Sequence, residues 1–161
     1  MRRAAALGLA LFAWGCGSKG SVAVTGDLEK PSAMVSNPNL IAWTLNGGCT
    51  LHIELGQYAP SGTDVSIPGA LSLVKPSTQA TLVVLKALAM PKPPFHLEPG
   101  GKFDADLIFA DMTTPGQTIT QPESDAICAA KTVQITGTLS DTASGNATPV
   151  SSATFDVTGC P

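Results

Sequence analysis

Hydrophobic and polar residues alternate along most of the chain after its first two dozen positions. A period of two is typical of β-strands that bury one face. The segment 49–55, for example, places its apolar side chains on one face and leaves His52 and Glu54 on the other. The same pattern predicts strands at 22–28, 40–45, 70–74, 102–110, 117–120, 132–139 and 150–158. Because Gly, Pro, Ser and Thr separate these segments, we expect an all-β fold, an antiparallel β-sandwich or small barrel of eight or nine short strands.

The connections between these strands carry three further signals. Asn46-Gly47-Gly48 has the composition of a tight hairpin turn between 40–45 and 49–55, because Asn and Gly accept a positive φ. The apolar run 81–90 fits either a strand buried on both faces or a short helix capped by Ser77 or Thr78, and its Val-Val pair favours the strand. Residues 91–101 contain four prolines, which lack the N–H that a central strand needs, so they are predicted to form the one long loop.

The first sixteen residues have the layout of a bacterial export signal. A basic tip, Met1-Arg2-Arg3, precedes an apolar stretch at 4–14 and the small residues Gly15-Cys16-Gly17. The stretch is too short to cross a bilayer, which takes about 20 apolar residues. Residues 13–16 resemble the lipobox of bacterial lipoproteins, whose last residue carries the lipid, so Cys16 is the predicted lipidation site. The alternative is cleavage at nearly the same place by an ordinary signal peptidase, which would release a secreted protein.

This interpretation divides the chain into a signal peptide at 1–15, a lipidated cysteine with its tether at 16–21, and a single β domain at 22–161. Each buried methylene of an acyl chain adds about 0.8 kcal/mol, so several chains together would hold the domain on its membrane. The predicted location is the bacterial cell envelope. Gly17 beside the modified cysteine is compatible with sorting to the outer membrane.

Charge argues against one class of partner. Both arginines lie in the leader, which leaves seven lysines against twelve acidic residues and a net charge of about −5. A chain without arginine lacks the bidentate donor that reads phosphate or guanine, and its negative charge repels a polyanion. We therefore expect no nucleic-acid partner.

Three cysteines remain for disulfide formation if Cys16 is lipidated, and an exported chain meets oxidising conditions. A hairpin about 141–149 that pairs Val133 with Phe155 would also bring Cys128 opposite Cys160. The same register pairs Ile135 with Ala153, which matches apolar partners. Alternatively, Cys49 on the core face of its own strand would join Cys160. Without lipid, four cysteines would permit two bridges.

One candidate zinc site consists of His52, Glu54 and His96. His52 and Glu54 point the same way because they lie two apart on a strand, and His96 from the proline-rich loop would complete an open site. A polar face turned to water explains His52 and Glu54 equally well. The sequence predicts no bound metal and no cofactor.

A second candidate metal site consists of Asp104, Asp106 and Asp111, whose hard oxygen ligands would suit calcium. The first two alternate with apolar residues, and no calcium-binding loop surrounds them. An ordinary solvated strand face is the simpler interpretation.

The sequence contains no motif that indicates catalysis. No Gly-x-Ser-x-Gly motif or phosphate-binding glycine loop is present, and nothing favours Ser66 or Ser72 as a nucleophile activated by His52. We expect a protein that is not an enzyme. The alternatives are an exported metal-dependent or hydrolytic enzyme, or a carrier of a small apolar ligand in a cavity lined by residues 82–88.

Phe95 and His96 are a candidate partner contact, because the surrounding prolines stiffen the backbone and lower the entropy lost on binding. The alternative is that this segment is a plain connection between the sheets. Trp43 alternates in step with Ile41 and Leu45 and is assigned to the core, so sugar binding through exposed aromatic rings is disfavoured.

The segments 135–138 and 152–160, with a turn-rich insert between them, resemble the closing hairpin of mycobacterial surface lipoprotein antigens of the LpqH type. The leader cysteine and the strand beginning at Cys49 also lie in similar places, whereas Cys128 and the proline-rich loop depart from the pattern. The resemblance implies a lipid-anchored β domain with no catalytic residues. We therefore expect a non-catalytic envelope lipoprotein that has a binding or scaffolding role, with the membrane and an envelope protein as its partners.

Overall fold

The computed structural model describes residues 23–38, 40–112 and 114–160, and the predicted anchor Cys16 with its tether at 16–21 lies outside them. Thirteen strands and one helix are formed by the described residues. In chain order they are β1 (Val24–Ser36), β2 (Trp43–Leu55), β3 (Thr63–Ser66), β4 (Leu71–Lys75), β5 (Ala80–Leu85), β6 (Ala87–Met90), β7 (Phe95–Leu97), β8 (Lys102–Asp111), β9 (Thr114–Pro115), β10 (Gln117–Ile119), α1 (Gln121–Ala130), β11 (Thr132–Asp141), β12 (Ala147–Ser151) and β13 (Phe155–Asp156).

The strands form two antiparallel sheets, which confirms the predicted all-β sandwich and excludes the closed barrel. Sheet A has the order β1-β2-β8-β6, with β10 also on β2 and β9 on β8. Sheet B has the order β5-β4-β11-β3-β7, with β12 and β13 also on β11. The prediction of eight or nine strands was too low, because strands of two to four residues are too short to show alternation.

The core lies between the sheets and is built from alternate side chains of their inner faces. Leu51 and Ile53 of β2 and Leu73 and Ile135 of sheet B are each 0% exposed. Burying such a side chain contributes about 1.5–3 kcal/mol. The alternation predicted at 49–55, 102–110 and 132–139 thus marks the residues that hold the sheets together.

The hairpin predicted at Asn46-Gly47-Gly48 was wrong, because β2 runs without a break from Trp43 to Leu55. Both glycines serve close backbone approach instead of a turn. A Cβ at Gly47, where φ is +140°, would lie 2.1 Å from the Ser32 carbonyl oxygen, and one at Gly48 would lie 2.1 Å from the Leu107 carbonyl oxygen. Beside this stretch, the register of β1 shifts between Glu29 and Ser32. The glycines therefore let three strands approach closely at an irregular point of sheet A.

The helix α1 was not predicted, although its start has a recognisable signature. Thr120 is the N-cap: its hydroxyl accepts from the Glu123 N–H, and the Glu123 carboxylate accepts from the Thr120 N–H at 2.7 Å. This is a capping box, with proline in the first turn. Ser124 and Ile127 are the buried residues of the helix, so its apolar periodicity is weak.

The apolar run 81–90 forms strands, as its Val-Val pair favoured, but it is divided between the two sheets. β5 lies in sheet B, β6 lies in sheet A, and the chain crosses at Lys86. Gln117, 3% exposed, holds the crossover: its Nε2 donates to the Val84 carbonyl at 2.7 Å, and its Oε1 accepts from the Lys86 N–H at 2.7 Å. Val84 is 55% exposed, so the prediction of burial on both faces was wrong.

The C-terminal segment closes one side of the sandwich. Val35 N donates to the Thr158 carbonyl at 2.9 Å, and Thr158 N donates to the Ala33 carbonyl at 3.1 Å, so this segment adds in parallel to the edge of β1. A second parallel bridge joins Leu28 to Ser152. On the opposite side of sheet A lies β6, which is connected to sheet B by the crossover at Lys86.

Candidate binding surfaces

The sandwich has two ends, of which one lies next to the start of the described chain. Gly56 N donates to the Ala23 carbonyl at 3.2 Å, and Gly100 N donates to the Leu55 carbonyl at 3.0 Å. We call this the proximal end. The distal end carries residues 37–38 and 40–42, between β1 and β2, and Met112, which follows β8. Because β2 spans thirteen residues at a rise of about 3.3 Å each, the two ends are about 40 Å apart.

The distal end exposes three large apolar side chains. Leu40 is 90% exposed, Ile41 is 88% exposed and Met112 is 93% exposed. The prediction of a strand at 40–45 was wrong at its start, because β2 begins at Trp43. The composition of Asn37-Pro38 signals this loop in the sequence. Single exposed apolar residues are common, but three at one end of a sheet make that end a candidate contact surface.

The three candidate zinc ligands considered in the sequence analysis do not come together. His52 lies in sheet A, where its Nδ1 is 2.6 Å from Asp104 Oδ1, and Glu54 pairs with Lys102 at 2.9 Å. His96 lies in sheet B. Within 23–38, 40–112 and 114–160, no group of three His, Cys, Asp or Glu residues has the arrangement of a metal site. The trio fails because its members belong to different layers of the sandwich.

The serines considered as nucleophiles also lie apart from His52. Ser66 and Ser72 are in sheet B, and the Ser66 hydroxyl is 3.2 Å from that of Ser140. The structure therefore does not place Ser66 or Ser72 beside His52, an arrangement that the sequence did not favour.

The three candidate calcium ligands, Asp104, Asp106 and Asp111, each have a different partner. Asp104 contacts His52, and Asp106 Oδ1 accepts from the Thr50 hydroxyl at 3.3 Å. Asp111 lies 2.6 Å from Lys86 Nζ and accepts from the Thr118 N–H at 2.7 Å. These contacts hold the pKa of the Asp111 carboxyl well below its usual value, and the contact with Lys86 contributes most. Asp111 therefore fixes the crossover at Lys86, and the other two aspartates belong to a solvated strand face.

Of the predicted contact pair, only His96 is on the surface. β7 interrupts the predicted long loop, and its alternation points Phe95 inward, where it is 2% exposed and stacks on Phe103 at 5.1 Å. The prediction of Phe95 as a partner contact was wrong for this reason. The His96 side chain is 61% exposed, with Nδ1 2.7 Å from Asp64 and Nε2 3.3 Å from Glu98. The hydrogen bond with Asp64, followed by that with Glu98, raises the pKa of His96.

The cysteines adopt the first of the two predicted pairings, since Cys128 is bonded to Cys160 and Cys49 is free and buried. Burial raises the pKa of the Cys49 thiol to about 12, so it stays protonated near neutral pH. A protonated, buried thiol is a poor nucleophile and metal ligand. Cys49 therefore packs as an apolar core residue.

A half-open depression of about 390 Å³ lies on the β6 side of the sandwich. Leu71 and Leu85, which are almost fully buried, line it together with Ala87–Ala89 of β6. Lys92 supplies its one charged side chain. Part of the segment 82–88, predicted to line a ligand cavity, thus borders a surface depression.

No protein-family model, curated protein or solved structure matches this chain. The resemblance to LpqH-type lipoproteins therefore stays a prediction from the sequence. Among the described residues, no helix is long and apolar enough to span a membrane.

Proposed function

We propose that the protein is a lipid-anchored, non-catalytic binding domain of the bacterial envelope, which holds a partner protein at its distal end. The leader and Cys16 support the anchor. The disulfide between Cys128 and Cys160 supports export, because such bonds form and persist in oxidising compartments.

The geometry argues for a partner away from the anchoring membrane. The tether at 17–21 reaches at most about 17 Å, so it would keep the proximal end close to the lipid headgroups. The distal end is about 40 Å farther along β2. Leu40, Ile41 and Met112 would therefore point away from that bilayer, towards other proteins of the envelope.

The exposure of these three side chains is the observation that carries the proposal. Burying each of them against a partner would contribute about 1.5–3 kcal/mol. This burial would favour association and would offset part of the entropy that two proteins lose on binding.

The anchor is tested by the intact mass of protein purified from membranes. We expect a chain that begins at Cys16 and carries the mass of its acyl chains, and we expect the Cys16→Ser variant to lose both the added mass and the membrane association. Recovery of the wild-type protein from the medium with an unmodified cysteine would contradict the anchor.

The distal contact is tested by photo-crosslinking in cells, with the reactive amino acid placed at Ile41 or Met112. Gln57 is the matched control, because it is also exposed but lies at the proximal end. We expect a discrete crosslinked partner from the distal positions that is lost when Leu40 is changed to serine. Equal crosslinking from Gln57, or none from either distal position, would contradict the proposal.

A further inference from the structure

We propose that the free edge of β6, together with the depression beside it, binds an extended peptide segment that adds a strand to sheet A. We call this surface the β6 edge site and define it by Ala87–Ala89, Leu71, Leu85 and Lys92. It differs from the proposed distal contact, because none of Leu40, Ile41 and Met112 belongs to it.

The register of β6 leaves backbone groups without a partner. Ala110 N donates to the Lys86 carbonyl at 2.8 Å, which marks this pair as a hydrogen-bonded one. In an antiparallel ladder such pairs alternate with pairs that do not exchange hydrogen bonds. Leu88 therefore bonds to β8, whereas the N–H and C=O groups of Ala87 and Ala89 point away from it. In the part of the chain that the structure describes, no hydrogen bond reaches these groups from the other side.

The other edge of sheet A, formed by β1, is covered by a segment of the chain itself. There Thr158 exchanges backbone hydrogen bonds with Ala33 and Val35 of β1. A strand added to β6 would make the equivalent contacts with Ala87 and Ala89. Unpaired strand edges of this kind are used by peptide-binding domains, in which main-chain hydrogen bonds give affinity and side-chain pockets give specificity.

The depression identifies the chemistry of the peptide. Leu71 and Leu85 would receive an apolar side chain from the added strand. Lys92 is the one charged residue of the lining, and the neighbouring Lys86 is already paired with Asp111 at 2.6 Å. The matching partner is therefore an extended segment with apolar residues at alternate positions and a carboxylate opposite Lys92.

The test selects from random heptapeptides displayed on phage, with the immobilised full chain as bait, and measures the Kd of the enriched peptides by fluorescence anisotropy. Changing Ala87 to proline replaces the outward N–H and leaves the ladder to β8 intact, so we expect binding to weaken about tenfold or more. The Ala87→Ser control keeps the N–H and is expected to bind as the wild type does. We expect Lys92→Gln to weaken binding most at low salt.

Hydrogen exchange gives a readout on the unaltered protein. We expect a bound peptide to protect the amides of Ala87 and Ala89, while those of Leu88 and Met90 are protected already. The proposal is overturned if no peptide is enriched over the Ala87→Pro bait, or if the peptides leave the Ala87 amide unprotected.

The proposal that the β6 edge site binds a peptide would also be overturned if either of two other molecules occupied the site. Dodecanoate that binds wild type and Ala87→Pro alike would assign the depression to a small amphiphile. A dimer that sediments intact and is dissociated by Ala87→Pro would assign the edge to a second copy of the chain. Cys16→Ser and the distal variants keep the β6 edge site, so its failure is distinguishable from that of the anchor or the distal contact.

Discussion

Cys128 and Cys160 join helix α1 to the last described residue of the chain, with their Cα atoms 5.5 Å apart. The bond links positions 32 residues apart and encloses β11, β12 and β13. Because it stands outside the strand ladders, it restrains a part of the chain whose last strand, β13, has only two residues.

Removal of this bond is expected to destabilise the protein. For a loop of this length, the loss of unfolded-chain entropy that the bond provides is worth about 3–4 kcal/mol. We expect the Cys128→Ala/Cys160→Ala variant to lose that much free energy of unfolding, measured in urea. Treatment of the wild type with dithiothreitol should give the same loss. A variant as stable as the wild type would show that the bond adds nothing.

Gln117 is expected to be the polar residue on which the crossover between the sheets most depends. Gln117→Ala leaves the Val84 carbonyl and the Lys86 N–H without their partner, each at about 1–3 kcal/mol. We expect a loss of about 2–4 kcal/mol in urea unfolding. Gln57→Ala is the control, because Gln57 is exposed. Equal stability of the two variants would contradict this role for Gln117.

Gly48 is expected to tolerate no side chain. A Cβ there would lie 2.1 Å from the Leu107 carbonyl oxygen, whereas one at Gly69 would have no atom within 4 Å. We expect Gly48→Ala to cost more than about 2 kcal/mol and Gly69→Ala to change stability by less than about 1 kcal/mol. Thermal unfolding followed by circular dichroism measures both. If the two variants have the same melting temperature, sheet A can accommodate a side chain at Gly48 without loss of stability.

His96 is expected to make stability depend on pH. The folded state raises the pKa of His96 above its ordinary value of 6.5, through Asp64 first and Glu98 second. Its contribution is therefore fully present below that value and is lost as the pH rises through the folded-state pKa. We expect the difference in the free energy of unfolding between wild type and His96→Gln to be larger just below pH 6.5 than above the folded-state pKa of His96.

The origin of this pKa shift is measured by NMR titration of the His96 ring protons. We expect Asp64→Asn to move the pKa of His96 back towards its ordinary value, and Glu98→Gln to move it less. A titration curve that Asp64→Asn leaves in place would refute the assignment of the shift to Asp64.

The distal side chains are expected to contribute nothing to folding. Leu40, Ile41 and Met112 are each about nine-tenths exposed, so changing all three to serine should alter the free energy of unfolding by less than about 0.5 kcal/mol. The contrast is Ile53→Ser, whose side chain is fully buried and whose loss should be severe. If the distal triple variant unfolds readily, those side chains pack within the fold.

The alternation of residues was enough to predict the fold class and the strands β8 and β11, because each strand buries one face, whereas β2 was predicted as two strands and β1 only in its first part. It also predicted the pairing of Val133 with Phe155. It failed for Ile135, which exchanges hydrogen bonds with Ser152 instead of facing Ala153. The ladder shifts there by one residue between β12 and β13, and such an irregularity leaves no mark on a period of two.

Local composition predicted the structure less well where contacts with distant parts of the chain determine a residue's conformation or burial. Asn46-Gly47-Gly48 has the residues of a turn but is placed by the carbonyl groups of neighbouring strands. Phe95 stands among prolines, yet its stacking on Phe103 draws it into the core. The β6 edge site was not predictable at all, because an unpaired edge is a property of strand order and not of any one segment.

The pairing of Thr158 with Ala33 and Val35 also bears on how the chain reaches its final form. The first long strand emerges early in synthesis, but Thr158, which covers its edge, follows Ala33 by 125 positions and is made much later. Until that segment arrives, a nascent chain keeps a second open edge, which is a template for aggregation. Removal of the segment around Thr158 would make that transient hazard permanent.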